Sequence, residues 1–186
     1  MMKNDFYAEA ILTNQISDEK LSQAYALMNE ERRLRCDKMR ADADKRACIC
    51  ADMLIRKLAK EHFGMDENGL ILSADERGKP FIKDASFHIS ISHSGEAVLC
   101  GISEHPMGVD IEKICDIPQT IAQKVGTTFE SEEQFFRFWT AAESYGKLYG
   151  NGVWWALKQE FLNDEACRFE QVPCPDGYVA TVCIKR

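Results

Sequence analysis

Between Met107 and Ile114 the sequence MGVDIEKI alternates, with Val109 and Ile111 pointing one way and Asp110 and Glu112 the other. A period of two is the pattern of a β-strand, whose successive side chains leave opposite faces. Such a strand has to bury one face while the other carries two acids side by side. At a rise of about 3.3 Å per residue the two carboxylates stand roughly 6.6 Å apart, close enough for both to reach one hard cation. An edge strand with a solvated acidic face satisfies the same pattern, and the choice falls to the rest of the chain.

A different period governs Asp44 to Gly64. Ala47, Ala51, Leu54, Ile55 and Leu58 form one apolar stripe, Asp44 is the expected cap of this long helix, and Gly64 stands in the usual stop position. Phe87, Ile89 and Ile91 alternate with His88, Ser90 and Ser92 as a strand, and Val98 to Ile102 return as its hairpin partner. Upstream, Phe6 to Leu12 reads as a strand, and Ser17 caps a helix carrying Leu21, Ala24, Tyr25, Leu27 and Met28. Leu70 to Ser73 is a short strand before the tight RGKP loop, residues 77–80. Residues 117–129 read as a loop or short helix, and Ser131 with Gln134 form a capping-box signature for the helix that follows. Strands are expected near Trp154 to Phe161, Cys167 to Val172 and Tyr178 to Ile184.

The length of 186 residues suits one domain or two small halves sharing a core, and 45% hydrophobic residues suffice to fill it. A net charge of −7 argues against a nucleic-acid binder, whose affinity comes mostly from a basic surface. The eight cysteines contain no CxxC pair, and no charged-then-apolar leader opens the chain, so reduced thiols and a cytoplasmic location are expected. No apolar run approaches the roughly 20 residues that span a bilayer, so no membrane partner is expected.

In so acidic a protein an anionic ligand must meet a local cluster of cations. Arg32, Arg33, Arg35, Lys38 and Arg40 outnumber Glu31 and Asp37 in ERRLRCDKMR, as a phosphate site or as a solvated helix face. Arg46 lies in the first turn of the long helix and off its stripe, where the helix dipole disfavours a cation unless an anion sits beside it. RGKP projects Lys79 beside a backbone that a ligand can approach closely, and SHSG (92–95) places two hydroxyls and the His93 imidazole at a strand end. On the capped helix, Trp139, Glu143 and Lys147 fall at i, i+4 and i+8 on one stripe. A surface ion pair explains Glu143 and Lys147 but not the surrounding aromatics or the following Gly150 and Gly152.

Taken in order, GKP (78–80), SHSG (92–95), GVDIE (108–112) and WTAAESYGKLYGNG (139–152) resemble the signature of the 4'-phosphopantetheinyl transferases, in their two-halved, Sfp-like group. The resemblance implies an α+β fold of two pseudo-symmetric halves, residues 1–103 and 104–186, with the active site between them. It implies Mg2+ held by Asp110, Glu112 and Glu143, and coenzyme A as substrate. Lys147, His93 and Ser92 would meet the pyrophosphate, and Arg46 and Lys79, helped by Arg32 and Arg35, the 3'-phosphate. The implied reaction, of the holo-acyl-carrier-protein synthase type, is attack by a serine of an apo acyl or peptidyl carrier protein, with Glu143, Lys147 and Asp110 catalytic and Glu143 the general base. A monomer is expected, because both sides of the cleft come from one chain. Ala142 stands where the family has lysine, and helix spacing predicts it at the rim of the metal cleft. Two alternatives follow: a silent coenzyme A or carrier-protein binding module, and a different magnesium-dependent nucleotide enzyme using the DxE pair.

Overall fold

The structure is a computed structural model and describes residues 5–126 and 128–186. The same succession of strand, long helix and two strands occurs twice. First come β1 (Phe6–Leu12), α1 (Asp18–Leu27), α2 (Glu30–Asp37) and the long α3 (Asp42–Phe63). A small hairpin of β2 (Leu72–Ala74) and β3 (Pro80–Ile82) precedes β4 (His88–Ser94) and β5 (Ala97–Ser103). The second succession begins with β6 (Met107–Lys113), α4 (Gln119–Val125) and α5 (Glu132–Tyr149). It ends with the short α6 (Val153–Ala156), β7 (Cys167–Gln171) and β8 (Tyr178–Lys185).

Each succession closes a three-stranded antiparallel sheet with its last strand in the middle, in the orders β1-β5-β4 and β6-β8-β7. This repeated topology is the α+β architecture that the resemblance implied. Residue 127, inside the stretch read as a loop or short helix, lies outside the described residues; α4 occupies the part before it.

Three cores stack the layers. Ala51, Leu54, Ile55 and Leu58 of α3 pack on Ile89, Val98, Cys100 and Ile102, which face one side of the first sheet. The alternate residues Ala97 and Leu99 meet Val109, Ile111, Ala180 and Val182 of the second sheet. On the far side of that sheet, Phe135, Trp139, Tyr145 and Leu148 of α5 cover Val179 and Cys183. The order is helix, sheet, sheet, helix, so central strands have no wet face, and all seven residues of β5 are buried. A strand covered on both sides reads as a continuous apolar run such as AVLCGIS.

Local chemistry explains the boundaries. Ser17 accepts the Lys20 N–H at the start of α1, and α3 stops at Gly64, whose φ of 65° is the left-handed conformation that a glycine adopts without cost. The start of α3 differs from expectation: Asp44 lies inside the first turn, and Ala41 is the N-cap, with no side-chain cap bond. Ser131 accepts the Gln134 N–H, but the Gln134 side chain reaches the N–H of Glu130 instead of the cap residue itself. The strand expected at 154–161 is absent. Gly152, at φ 74°, turns the chain into the short α6, and Trp155 stacks on Tyr145 with centroids 5.6 Å apart. A short apolar run is compatible with either period, and tertiary packing selected the helical turn.

Candidate active site

Gly108 is where the site begins. A Cβ built on it would lie 2.0 Å from the Ser144 carbonyl and 2.6 Å from the Leu148 backbone nitrogen, so α5 crosses β6 in direct backbone contact. Small residues on the helix match this approach: Ser144 is fully buried, and Thr140 Oγ1 meets Thr181 Oγ1 of β8 at 2.7 Å. Because α5 passes so low, Glu143 and Lys147, one turn apart, come down beside the acids of β6.

The first sheet reaches the same place through a row of serines. Along β4, Ser90 Oγ accepts the Val109 N–H at 3.0 Å, Ser92 Oγ donates to Asp110 Oδ1 at 2.7 Å, and Ser94 Oγ donates to Glu112 Oε2 at 2.6 Å while accepting the Lys113 N–H. From Ser90 to Ser94 every second side chain of β4 is thus a hydroxyl facing β6, and these bonds join the two sheets where no backbone ladder does. Lys147 Nζ closes a triangle, donating to Ser92 Oγ and Asp110 Oδ1 at 2.7 Å each. From sequence, Ser90 is only part of the strand alternation and Ser94 only the second hydroxyl of SHSG; their contacts with β6 were missed, although their period of two with Ser92 was the available signal.

The acids are not on a solvated face. Asp110 is 2% exposed, and its Oδ2 is buried with no hydrogen-bond partner among the described residues. Burial raises the pKa of Glu112, against the Ser94 hydrogen bond. It carries Glu143 up to about 7, with Asp110 and then Glu112 repelling its charge and Lys147 partly offsetting them. Three carboxylates lining one cleft are a ready place for a cation, and an all-oxygen donor set suits Mg2+ over a softer metal. As the side chains stand, with Lys147 on Asp110, no group of three or more His, Cys, Asp or Glu among the described residues is drawn together tightly enough to hold a metal ion.

These groups open on a cleft of about 550 Å³. It is walled by Arg32 and Arg35 of α2, Ala47, Cys48 and Ala51 of α3, Ser92 and His93 of β4, Asp110 and Glu112 of β6, and Glu143 and Lys147 of α5. Eight of the ten residues expected at the site therefore meet in one cavity fed by both halves.

Arg46 and Lys79 are not brought to it. The Arg46 guanidinium donates to the carbonyls of Thr13 and Ile16 and to Asp18, pinning the start of α1 to α3. One residue along a helix turns a side chain by about 100°, and it is Ala47 that α3 presents to the cleft. Lys79 Nζ donates to the Leu148 carbonyl at 2.9 Å near the end of α5, and burial lowers its pKa. It lines a smaller cavity of about 250 Å³ that shares Gly78, Pro80, Ile91 and Lys147 with the cleft. Ala142, expected at the rim, is instead 0% exposed within the core between α5 and its sheet. Neighbouring positions on a helix face different ways, and only Glu143 of this pair faces the cleft.

All eight cysteines are free thiols, and among the described residues no helix is long and apolar enough to cross a membrane.

Comparison with known proteins agrees with this geometry. Residues 15–104, ending where the first sheet ends, match the family model described as "4'-phosphopantetheinyl transferase, N-terminal". The chain is 37% identical over 117 residues to the 4'-phosphopantetheinyl transferase gsp of Aneurinibacillus migulanus, covering 57% of this chain and 49% of that one. It is 30% identical over 150 residues to the 4'-phosphopantetheinyl transferase ffp of Bacillus subtilis, and 29% identical over 150 residues to the 4'-phosphopantetheinyl transferase Sfp of Bacillus subtilis strain 168. Each of these two matches covers 74% of this chain and 67% of the relative, so the chain spans between about half and two thirds of the length of these relatives. Fold, ordered motifs and relatives agree that the chain belongs to the 4'-phosphopantetheinyl transferase family, in its Sfp-like group.

Proposed function

We propose that this protein transfers the 4'-phosphopantetheine group of coenzyme A to a serine of an apo acyl or peptidyl carrier protein in a magnesium-dependent reaction, releasing adenosine 3',5'-bisphosphate. The observation that carries the reading is one cleft lined both by the acids Asp110, Glu112 and Glu143 and by the cations Arg32, Arg35 and Lys147. A nucleotide carrying a pyrophosphate and a 3'-phosphate calls for both: cations for its phosphates, and carboxylates that would hold a charge-neutralising metal. The halves are assigned to residues 1–103 and 104–186, each supplying one wall.

Asp110, Glu112 and Glu143 would hold Mg2+, which neutralises charge on the pyrophosphate oxygens. Lys147 leaves Asp110 for the pyrophosphate, a short move because its ammonium is already beside Ser92 and within the cleft. His93 is exposed and lines the cleft, which supports its assignment as a further phosphate donor. With Arg46 committed elsewhere, Arg32 and Arg35 are the arginines assigned to the 3'-phosphate. Glu143 is the assigned base for the attacking serine, since it lines the cleft and burial carries its pKa up to about 7. Positioned cations and a fixed base are what phosphoryl-type transfer asks of a protein.

Incubation with coenzyme A, Mg2+ and apo carrier proteins, followed by intact-mass measurement of the carrier, tests the reading. A carrier gaining the mass of phosphopantetheine supports it. Unshifted masses across several carriers, with coenzyme A bound, replace it with a silent binding module, the alternative that Ala142 in place of lysine raises.

A further inference from the structure

A buried cluster of charges stands behind the cleft, and of its members the reaction as assigned uses only Arg32. Asp52, in the middle of α3, is 0% exposed, Arg56 one turn later is 2% exposed, and Arg32 on α2 is 7% exposed. Arg56 Nε donates to Asp52 Oδ1 at 2.5 Å, and its Nη1 donates to the Glu67 carbonyl at 2.5 Å. The other Asp52 oxygen faces Arg32 Nε at 3.6 Å, beyond hydrogen-bond distance, and among the described residues neither atom has a hydrogen-bond partner.

Charges buried in this way are costly unless each is paired. Two arginines against one acid leave one positive charge in surplus, and of the three residues Arg32 is the one that lines the cleft. An anion in the cleft brings the cluster to neutrality. That gives a physical reason for keeping a surplus cation under cover at this place and not on the surface, where water would solvate it.

We propose that Asp52 is a positioning residue: clamped by Arg56, its carboxylate sets the Arg32 guanidinium against the cleft for a phosphate, here the 3'-phosphate of coenzyme A. Asp52 itself touches no ligand. The roles divide along the cluster, with Arg56 anchoring the acid to the turn at Glu67, the acid orienting Arg32, and Arg32 meeting the anion. This inference rests on the coenzyme A reading of the cleft.

The test compares the affinities of coenzyme A and 3'-dephospho-coenzyme A, measured by calorimetry on the full chain, in wild type, Asp52→Asn, Arg32→Gln and the double variant. Asp52→Asn should weaken coenzyme A about tenfold and the dephospho form by no more than about twofold, with no further loss when added to Arg32→Gln. A merely structural role would weaken both ligands alike, or add its cost to that of Arg32→Gln, and either result overturns the proposal. Should Asp52→Asn fail to fold, Asp52→Asn/Arg56→Gln removes the buried pair together. A selective loss of coenzyme A affinity there supports the proposal, and wild-type affinity overturns it. Absence of coenzyme A binding in the wild type overturns the reading of the cleft and this inference with it. Binding that ignores Asp52 overturns the inference alone.

Discussion

Replacing Gly108 by alanine tests whether the site depends on how closely α5 crosses β6. The added Cβ would lie 2.0 Å from the Ser144 carbonyl oxygen, 2.6 Å from the Leu148 nitrogen and 3.1 Å from the Lys147 Cβ. Real Cβ contacts are essentially never shorter than 3.0 Å, so helix and strand must separate by about 1 Å. The atoms in the way are backbone, and no rotamer change relieves them. Overpacking a core costs about 1–3 kcal/mol when side chains can yield, and a rigid backbone obstacle puts the expected cost at or above the upper end of that range. For a chain of this size about 3 kcal/mol corresponds to a fall of roughly 6–12 °C in Tm. Thermal and urea unfolding read that loss. The same displacement draws Glu143 and Lys147 away from Asp110, so transfer should fall more steeply than stability alone accounts for under conditions where the variant is folded. Gly69→Ala is the control: its Cβ would meet only the Asp66 carbonyl, at 4.0 Å, and the expected change is within about 0.5 kcal/mol. A Gly108→Ala variant as stable as that control, with unchanged activity, would refute the close-crossing argument.

Three other substitutions follow from the same geometry. Asp110→Asn should lower magnesium-dependent transfer by about 100-fold or more, and should cost about 1–2 kcal/mol of stability because the carboxylate is buried against Ser92 and Lys147; magnesium-dependent rates equal to wild type would remove it from the site. Arg46→Gln should destabilise by about 1–2 kcal/mol, through lost hydrogen bonds to the Thr13 and Ile16 carbonyls, while coenzyme A affinity stays unchanged by calorimetry. A selective loss of coenzyme A over its dephospho form would return Arg46 to the 3'-phosphate. Ala142→Lys should cost at least about 2 kcal/mol with no gain in rate, since it drives a long cationic side chain into a packed core. A faster enzyme with wild-type melting behaviour would place that position back at the rim of the cleft.

Much of the architecture was legible because the periodic signals were long and unmixed. The stripe of α3, the alternations of β4 and β6, and the caps at Ser17, Ser131 and Gly64 all stand in the structure close to where their patterns put them. Residues 154–161 were illegible for the opposite reason: the run is short, and the Tyr145 ring on which Trp155 stacks lies on another element.

The same division runs through the site. Residue type and spacing by themselves determined which acids share a face of β6, which acid and base share a stripe of α5, and the order of motifs that carries the family. Facing direction at single helical positions was decided only by tertiary packing. The choices of Ala47 over Arg46 and of Glu143 over Ala142 depend on which side of each helix meets a sheet. Likewise, sequence shows a row of serines on β4 but not that β6 lies alongside to receive their hydrogen bonds. Nor does it show that Asp52 and Arg32, 20 positions apart on separate helices, share one buried cluster. Periodicity is a local property of a chain, whereas burial, pairing and pKa depend on what the fold sets beside a residue, and that depends on all the elements at once.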